Sequence, residues 1–337
     1  MNVGLALCLA VAMTNFPEDS SKSVGDEKME AKETVGRRTL GGKQFWTDFV
    51  VLNHWRIQRN GATGHYRLLN PQDRAIVSGK FETCKKRFDE IRSQANLPKP
   101  DAQVVVTIHG LGRSRGSMEE LGKFIESRNG YTWVNFGYAS TRHDIQTHAQ
   151  ALRSVLDCLA IAQKTNAEND EQLVVHFVGH SLGNIVVRFL LGEMKHFQKK
   201  PDWTVGRIVM LAPPNKGSAM ASLLKKSRTF KLIAGKSGKN LSDDWNFIET
   251  KLATPRSEFG IIAGGRGTNR GFNPLLKGDD DLIVSVEETK LAGAADFHVF
   301  PSMHTYIMNK KDVQEATARF LAKGFFFSPE KRQPIGE

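Results

Sequence analysis

The sequence lacks the marks of several protein classes. Its 337 residues hold three cysteines, Cys8, Cys84 and Cys158, with neither a CxxC pair nor a Cys/His cluster at metal-ligand spacing. A disulfide-stapled scaffold and a zinc module are therefore excluded. The apolar run at residues 3–13 is too short to span a bilayer. Helix-turn-helix patterns, zinc-finger spacings and RNP-like motifs are missing, as are internal repeats. No nucleic-acid partner is expected, although the net charge is +11.

That charge is unevenly placed. Residues 1–36 carry three lysines against six acids, a charge of −3 that leaves +14 on the remainder. The basic residues are scattered apart from pairs such as Lys85-Lys86, Lys199-Lys200 and Lys225-Lys226. The simple reading is a solvated cationic surface. A body this basic would also be drawn to an anionic membrane surface.

Residues 3–13 have the length of a signal h-region, and Ala10-Val11-Ala12 is an A-x-A-like cleavage site, but no basic n-region precedes them. Export, periplasmic or secreted, is expected if residues 1–12 act as a signal; otherwise the protein is cytoplasmic. Cys84 and Cys158 would then either pair or remain thiols. The polar stretch from Asn15 to Gly36 lacks apolar periodicity and reads as a flexible leader, so residues 1–36 are set apart from a single domain at 37–337.

What is present is a regular alternation. Residues 55–59 and 65–69 flank a Gly-rich turn as a hairpin, 75–78 add a short strand, and 81–94 read as a helix, together the N-terminal part 37–100. Beyond it, uniformly apolar β-rich runs fall at 104–108, 132–136, 173–178, 207–211, 259–263 and 297–300. Helical periodicity fills 117–128, 145–162, 184–196 and 311–323. Strands apolar throughout, alternating with helices, predict an α/β fold: a doubly wound, mostly parallel sheet covered on both faces. The interval 216–258, between the fourth and fifth parallel strands, is long enough to form a lid.

The run 173–178 leads directly into Gly179-His180-Ser181-Leu182-Gly183, and a helical pattern follows. A strand, a G-x-S-x-G turn and a helix make a nucleophile elbow, in which the serine backbone is strained and the flanking glycines avoid collision. Ser181 is the candidate nucleophile.

Three further motifs stand in order around this turn. His109-Gly110-Leu111-Gly112 follows the first parallel strand; Leu211-Ala212-Pro213-Pro214-Asn215-Lys216-Gly217-Ser218 follows the fourth; an Asp and a His come last. Over residues 101–324 the chain resembles the α/β-hydrolase superfamily, and within it bacterial lipases and esterases and the PGAP1-like deacylases. The resemblance implies an oxyanion hole made by the backbone N–H groups of Leu111 and Leu182. His109 is then an orienting residue of its loop.

It also implies an acid and a base in the order Ser, Asp, His. Gly278-Asp279-Asp280-Asp281-Leu282-Ile283-Val284-Ser285-Val286 resembles the lipase pattern D-G-x-V-[PS]-V in the register that selects Asp281, with Leu282 where Gly is usual. Asp279 and Asp280 remain competitors for the role, or surface acids; three clustered carboxylates could also hold a cation such as Ca²⁺. His304, between the last strand and the last helix, is the expected base. His298 and His176 lie within strands and read as packed residues, and His180 has no required role. His143, His148 and His196 are expected to face solvent.

A serine nucleophile excludes the carboxylate-based dehalogenase and epoxide hydrolase chemistries of this superfamily. It leaves carboxylic esters, thioesters and amides, with no cofactor or metal required. The lipase-like motifs and the basic body favour a hydrophobic ester or lipid substrate. Residues 134–138 and 220–247 supply apolar side chains for a pocket wall. Alternatives are a thioesterase, amidase or lipid-anchor deacylase on the same triad, or a non-catalytic binding protein of hydrolase fold.

Overall fold

The computed structural model describes residues 32–33, 42–164, 172–217 and 245–336. Two sheets organise them. The first is antiparallel: β1 (Lys32–Glu33), β2 (Trp46–Leu52), β3 (Trp55–Asn60), β4 (Tyr66–Leu69) and β5 (Ala75–Gly79), in the order β1-β5-β4-β3-β2. The pattern of the sequence did not reveal β2, whose first residues include buried Thr47 and Asp48 among the apolar ones. The helix α1 (Phe81–Gln94) follows, with Cys84 and Phe88 buried.

The second sheet has six strands, all parallel: β6 (Gln103–Ile108), β7 (Thr132–Phe136), β8 (Leu173–His180), β9 (Trp203–Leu211), β10 (Phe259–Gly265) and β11 (Asp296–Pro301). Their order is β11-β10-β9-β8-β6-β7. Chain direction across the sheet therefore reverses between β6 and β8, which are neighbours in space but not in sequence. In open α/β sheets that reversal opens a crevice at the carboxyl ends of the strands.

The apolar runs are explained by burial of both faces, since successive residues of a strand point to opposite sides. Val104, Val106 and Ile108 of β6, with Leu173, Val175 and Phe177 of β8, join one core. That core is closed by α3 (Ile145–Lys164) and α4 (Leu182–Glu193), through residues such as Leu152, Leu156 and Ile185. Val105, Val178, Val209 and Ile262 face the other core, closed by Leu121 and Ile125 of α2 (Glu119–Asn129) and Val313 and Phe320 of α7 (Lys311–Lys323). Each large aliphatic or aromatic side chain buried in this way stabilises the fold by about 1.5–3 kcal/mol before entropy is counted.

Short helices α5 (Trp245–Lys251) and α6 (Val286–Thr289) lie in the connections. Most of the candidate lid, residues 218–244, falls outside the described residues. At its edges Trp245 is buried against Gly217, and Phe247 is exposed. His148 corrects an expectation: it lies on α3 with no exposed surface, its ring edge-on to Tyr138 at 4.7 Å. The helix is covered by β2 on one flank and α4 on the other, which buries a position that helical periodicity alone leaves ambiguous. His196 is exposed and His143 half-buried. Cys84 and Cys158 are not joined in a disulfide, and burial pushes the Cys84 thiol pKa up to about 12. Among the described residues no helix is long and apolar enough to cross a membrane.

Candidate active site

The parallel sheet with helices on both faces is a doubly wound α/β fold, and the functional candidates gather at the carboxyl ends of its strands. Ser181 sits between the end of β8 and the first residue of α4, with φ 52° and ψ −121°. A non-glycine residue pays about 1–3 kcal/mol for such a backbone, so its surroundings must hold it there. They do so by close approach. A Cβ at Gly183 would lie 2.5 Å from the Ile108 carbonyl oxygen, and one at Gly179 would overlap the Asn184 side chain. Buried Asn184 donates to the carbonyls of Ser181 and Leu211, both at 3.2 Å, and the Ser181 N–H donates to Leu211 O at 2.9 Å.

The HGLG turn at the end of β6 abuts this elbow: a Cβ on Gly110 would stand 3.1 Å from Ser181 Cβ. His109 is fixed on three sides. Its Nδ1–H donates to the Gly110 carbonyl at 2.9 Å, the Tyr138 hydroxyl donates to the His109 carbonyl at 2.7 Å, and the two rings stack at 4.3 Å. Burial holds its pKa down at about 4, so the ring is neutral at neutral pH. The N–H groups of Leu111, in this turn, and Leu182, at the start of α4, have no acceptor among the described residues. An N–H in the first turn of a helix has no intrahelical partner and favours negative charge.

Across the site lie the loops after β10 and β11. The Asp281 carboxylate is fully buried. Its Oδ1 accepts from the N–H groups of Ile283 at 3.0 Å and Val284 at 2.7 Å, while its Oδ2 faces His304 Nδ1 at 2.6 Å. The His304 N–H also donates to the Asp281 carbonyl at 2.8 Å. Gly264, near the end of β10, allows this closure; a Cβ there would lie 2.8 Å from both Asp281 Cβ and the Ser302 carbonyl oxygen.

The three consecutive acids thus separate. Asp279 accepts from the N–H groups of Arg266, Gly267 and Asp280, and Asp280 from those of Asn273 and Leu282. Both shape their loop, and Asp281 alone reaches a histidine. Leu282, where the related pattern has Gly, adopts φ +91° with its side chain in solvent.

His180 is a residue whose part the sequence left unread. It is buried beside His304, ring centroids 4.8 Å apart, and its Nε2–H donates to the His304 carbonyl at 3.0 Å. Burial first, and the neighbouring His304 second, hold its pKa well below the usual imidazole value. No hydrogen bond joins the Ser181 hydroxyl to His304 among the described residues; His180 links the two by occupying the position before the serine and bonding the base's backbone. His176 and His298 are packed strand residues, the former stacked on Tyr131 and bonded to Gln103, the latter edge-on to Phe327 and 3.1 Å from Asp296.

Residues 99–242 match the family model described as "Putative serine esterase (DUF676)". With the fold, this match supports a serine hydrolase. Solved structures that the chain resembles include a mature-form lipase of Bacillus licheniformis, 20% identical, with 63% of this chain and 90% of that one covered and a TM-score of 0.44. A gene product of Listeria innocua is 15% identical over 70% of this chain and 99% of its own, with a TM-score of 0.46. An esterase of Pyrococcus furiosus is 12% identical over 86% and 97%, with a TM-score of 0.44. No curated protein matches the chain.

Proposed function

We propose that the protein is a serine esterase that cleaves carboxylic esters of hydrophobic acids or alcohols through Ser181, His304 and Asp281. The observation that carries this reading is the buried 2.6 Å contact between Asp281 Oδ2 and His304 Nδ1, on the same rim of the sheet as the strained Ser181. With Nδ1–H given to Asp281, the Nε2 lone pair of His304 is left to take the serine proton. Ser181 Oγ then attacks the ester carbonyl carbon, and the carbonyl oxygen becomes an oxyanion facing the N–H groups of Leu111 and Leu182. Two such donors, already oriented, would supply several kcal/mol of transition-state stabilisation. The imidazolium returns its proton to the departing alkoxide, leaving an acyl-serine, and water activated by the same histidine releases the acid.

A hydrophobic substrate is supported by the rim itself. Leu282, Met303 and Tyr306, which flank Asp281 and His304 in sequence, are all exposed. With the +11 charge, such a rim suits a substrate presented at an anionic lipid surface. The test is labelling by a fluorophosphonate, followed by a panel of ester, thioester and anilide substrates of rising chain length. Wild type is expected to be labelled and Ser181→Ala not, with octanoyl esters cleaved faster than acetyl esters. Labelling that survives the substitution would overturn the nucleophile, and preference for acetyl esters would overturn the substrate class.

A further inference from the structure

The antiparallel sheet has a charged interior that this chemistry does not use. Asp48, at a bulge in β2, is fully buried and accepts from Arg56 Nη1 at 2.6 Å, Gln58 Nε2 at 2.7 Å and the Gly137 N–H at 2.7 Å. Gln58 turns its amide oxygen to Arg67, accepting from Nε at 3.0 Å and Nη2 at 2.7 Å. The Arg67 guanidinium lies 3.6 Å above the Trp46 ring. Arg115, just beyond the HGLG turn, is paired with Asp73.

Among the described residues three guanidinium groups therefore face two carboxylates, and Arg67 is the one hydrogen-bonded to no acid. Its partners are a neutral amide and an indole, while the nearby carboxylates of Asp48 and Asp73 are bonded to Arg56 and Arg115. Yet Arg67 is 4% exposed. Burial holds it down at about 10, which still leaves it charged at neutral pH. A buried cation short of a counter-charge is costly, and the cost is relieved by an anion. A place for one exists. Arg67, Ser114 and Arg115 line a narrow cleft with about 20 Å³ of internal room that opens to solvent, with the Asp73 carboxylate, His109 and Tyr138 also in its wall.

We propose that this cleft is a binding site for a monovalent anion of the carboxylate type, held by Arg67 and Arg115. One negative charge balances the cluster, whereas a dianion would be repelled by Asp73. The planar guanidinium fork matches a carboxylate in two hydrogen bonds. The cleft shares His109 and Tyr138 with the wall of the HGLG turn but includes none of Ser181, His304 and Asp281, and the proposal stands whether or not the protein cleaves esters.

Formate and octanoate, titrated into the full-length protein at pH 7.5 in chloride-free buffer and followed by calorimetry, test the proposal. Saturable 1:1 binding is expected in wild type, at least tenfold weaker in Arg67→Gln. Tighter binding of octanoate than formate identifies the acid end of a longer ligand; equal binding identifies a small free carboxylate. Ser114→Trp, which crowds the cleft from its half-buried wall and leaves every charge in place, is expected to weaken binding equally and decides the matter if Arg67→Gln does not fold. No saturable binding by wild type, or unchanged formate binding in the folded variants, overturns the proposal.

Discussion

The two sides of the candidate site are built by opposite means. On the side of β6 and β8, Ser181, His109 and His180 are held by close backbone approach, by neutral buried imidazoles and by an apolar sheet. On the side of β10 and β11, the loop from Asp279 to Val284 is held by carboxylates accepting backbone N–H groups. Each side also contains a non-glycine residue at positive φ that is, or adjoins, a candidate site residue: Ser181 at 52°, almost fully buried, and Leu282 at 91°, exposed. Strain at Ser181 is enforced from every direction, whereas strain at Leu282 is enforced only by its own chain. The first side can lose packing and fail as a fold; the second can lose a charge and, on the proposed function, keep its fold while losing activity.

Asp281→Asn breaks the second side where the effect is largest. An amide offers His304 Nδ1 a donor as readily as an acceptor, so the tautomer that leaves Nε2 free is no longer enforced. Esterase kcat is expected to fall by about 10⁴ with the melting temperature little changed. Asp279→Asn and Asp280→Asn, measured in parallel, should lower stability and leave kcat within about tenfold of wild type. If either neighbour loses activity as Asp281→Asn does, the assignment of the acid is wrong.

This contrast also explains what could be read from the sequence. The elbow was legible because its cause is local: a buried strand, two glycines at fixed offsets and a helix, all contiguous. Asp281 was only partly legible, because three adjacent acids differ solely in which backbone N–H groups and which histidine the folded loop brings to them. His180 was not legible at all, since its bond to the His304 carbonyl joins residues 124 apart. The strand β2 was obscured for a related reason. Asp48 looks like a surface residue until Arg56, Gln58 and Gly137 converge on it. Likewise His148 looked solvent-facing because one strand and one helix far away in sequence cover it.

Gly183→Ala probes the first side. The added methyl would be driven against the Ile108 carbonyl, backbone that cannot rotate away, so β6 and α4 must separate. A loss on the order of 3 kcal/mol is expected in denaturant unfolding. Retained stability would mean that the close approach is not what holds Ser181 in its strained backbone.

Leu282→Gly is expected to have the smallest effect and separates strain from use. Glycine accepts φ near +90° freely, which should return about 1–2 kcal/mol. The more flexible unfolded chain takes back about 0.4–1 kcal/mol, so stability should rise by between about 0 and 1.6 kcal/mol. The contacts to Asp281 come from the backbone of Ile283 and Val284, so hydrolysis of acetyl esters should not change. Long-chain esters are different: if the exposed leucine touches the substrate, KM for octanoyl esters should rise a few-fold while kcat holds. Equal kinetics on both substrates would leave Leu282 strained without a part in substrate binding, and would remove one of the three residues on which the hydrophobic rim rests.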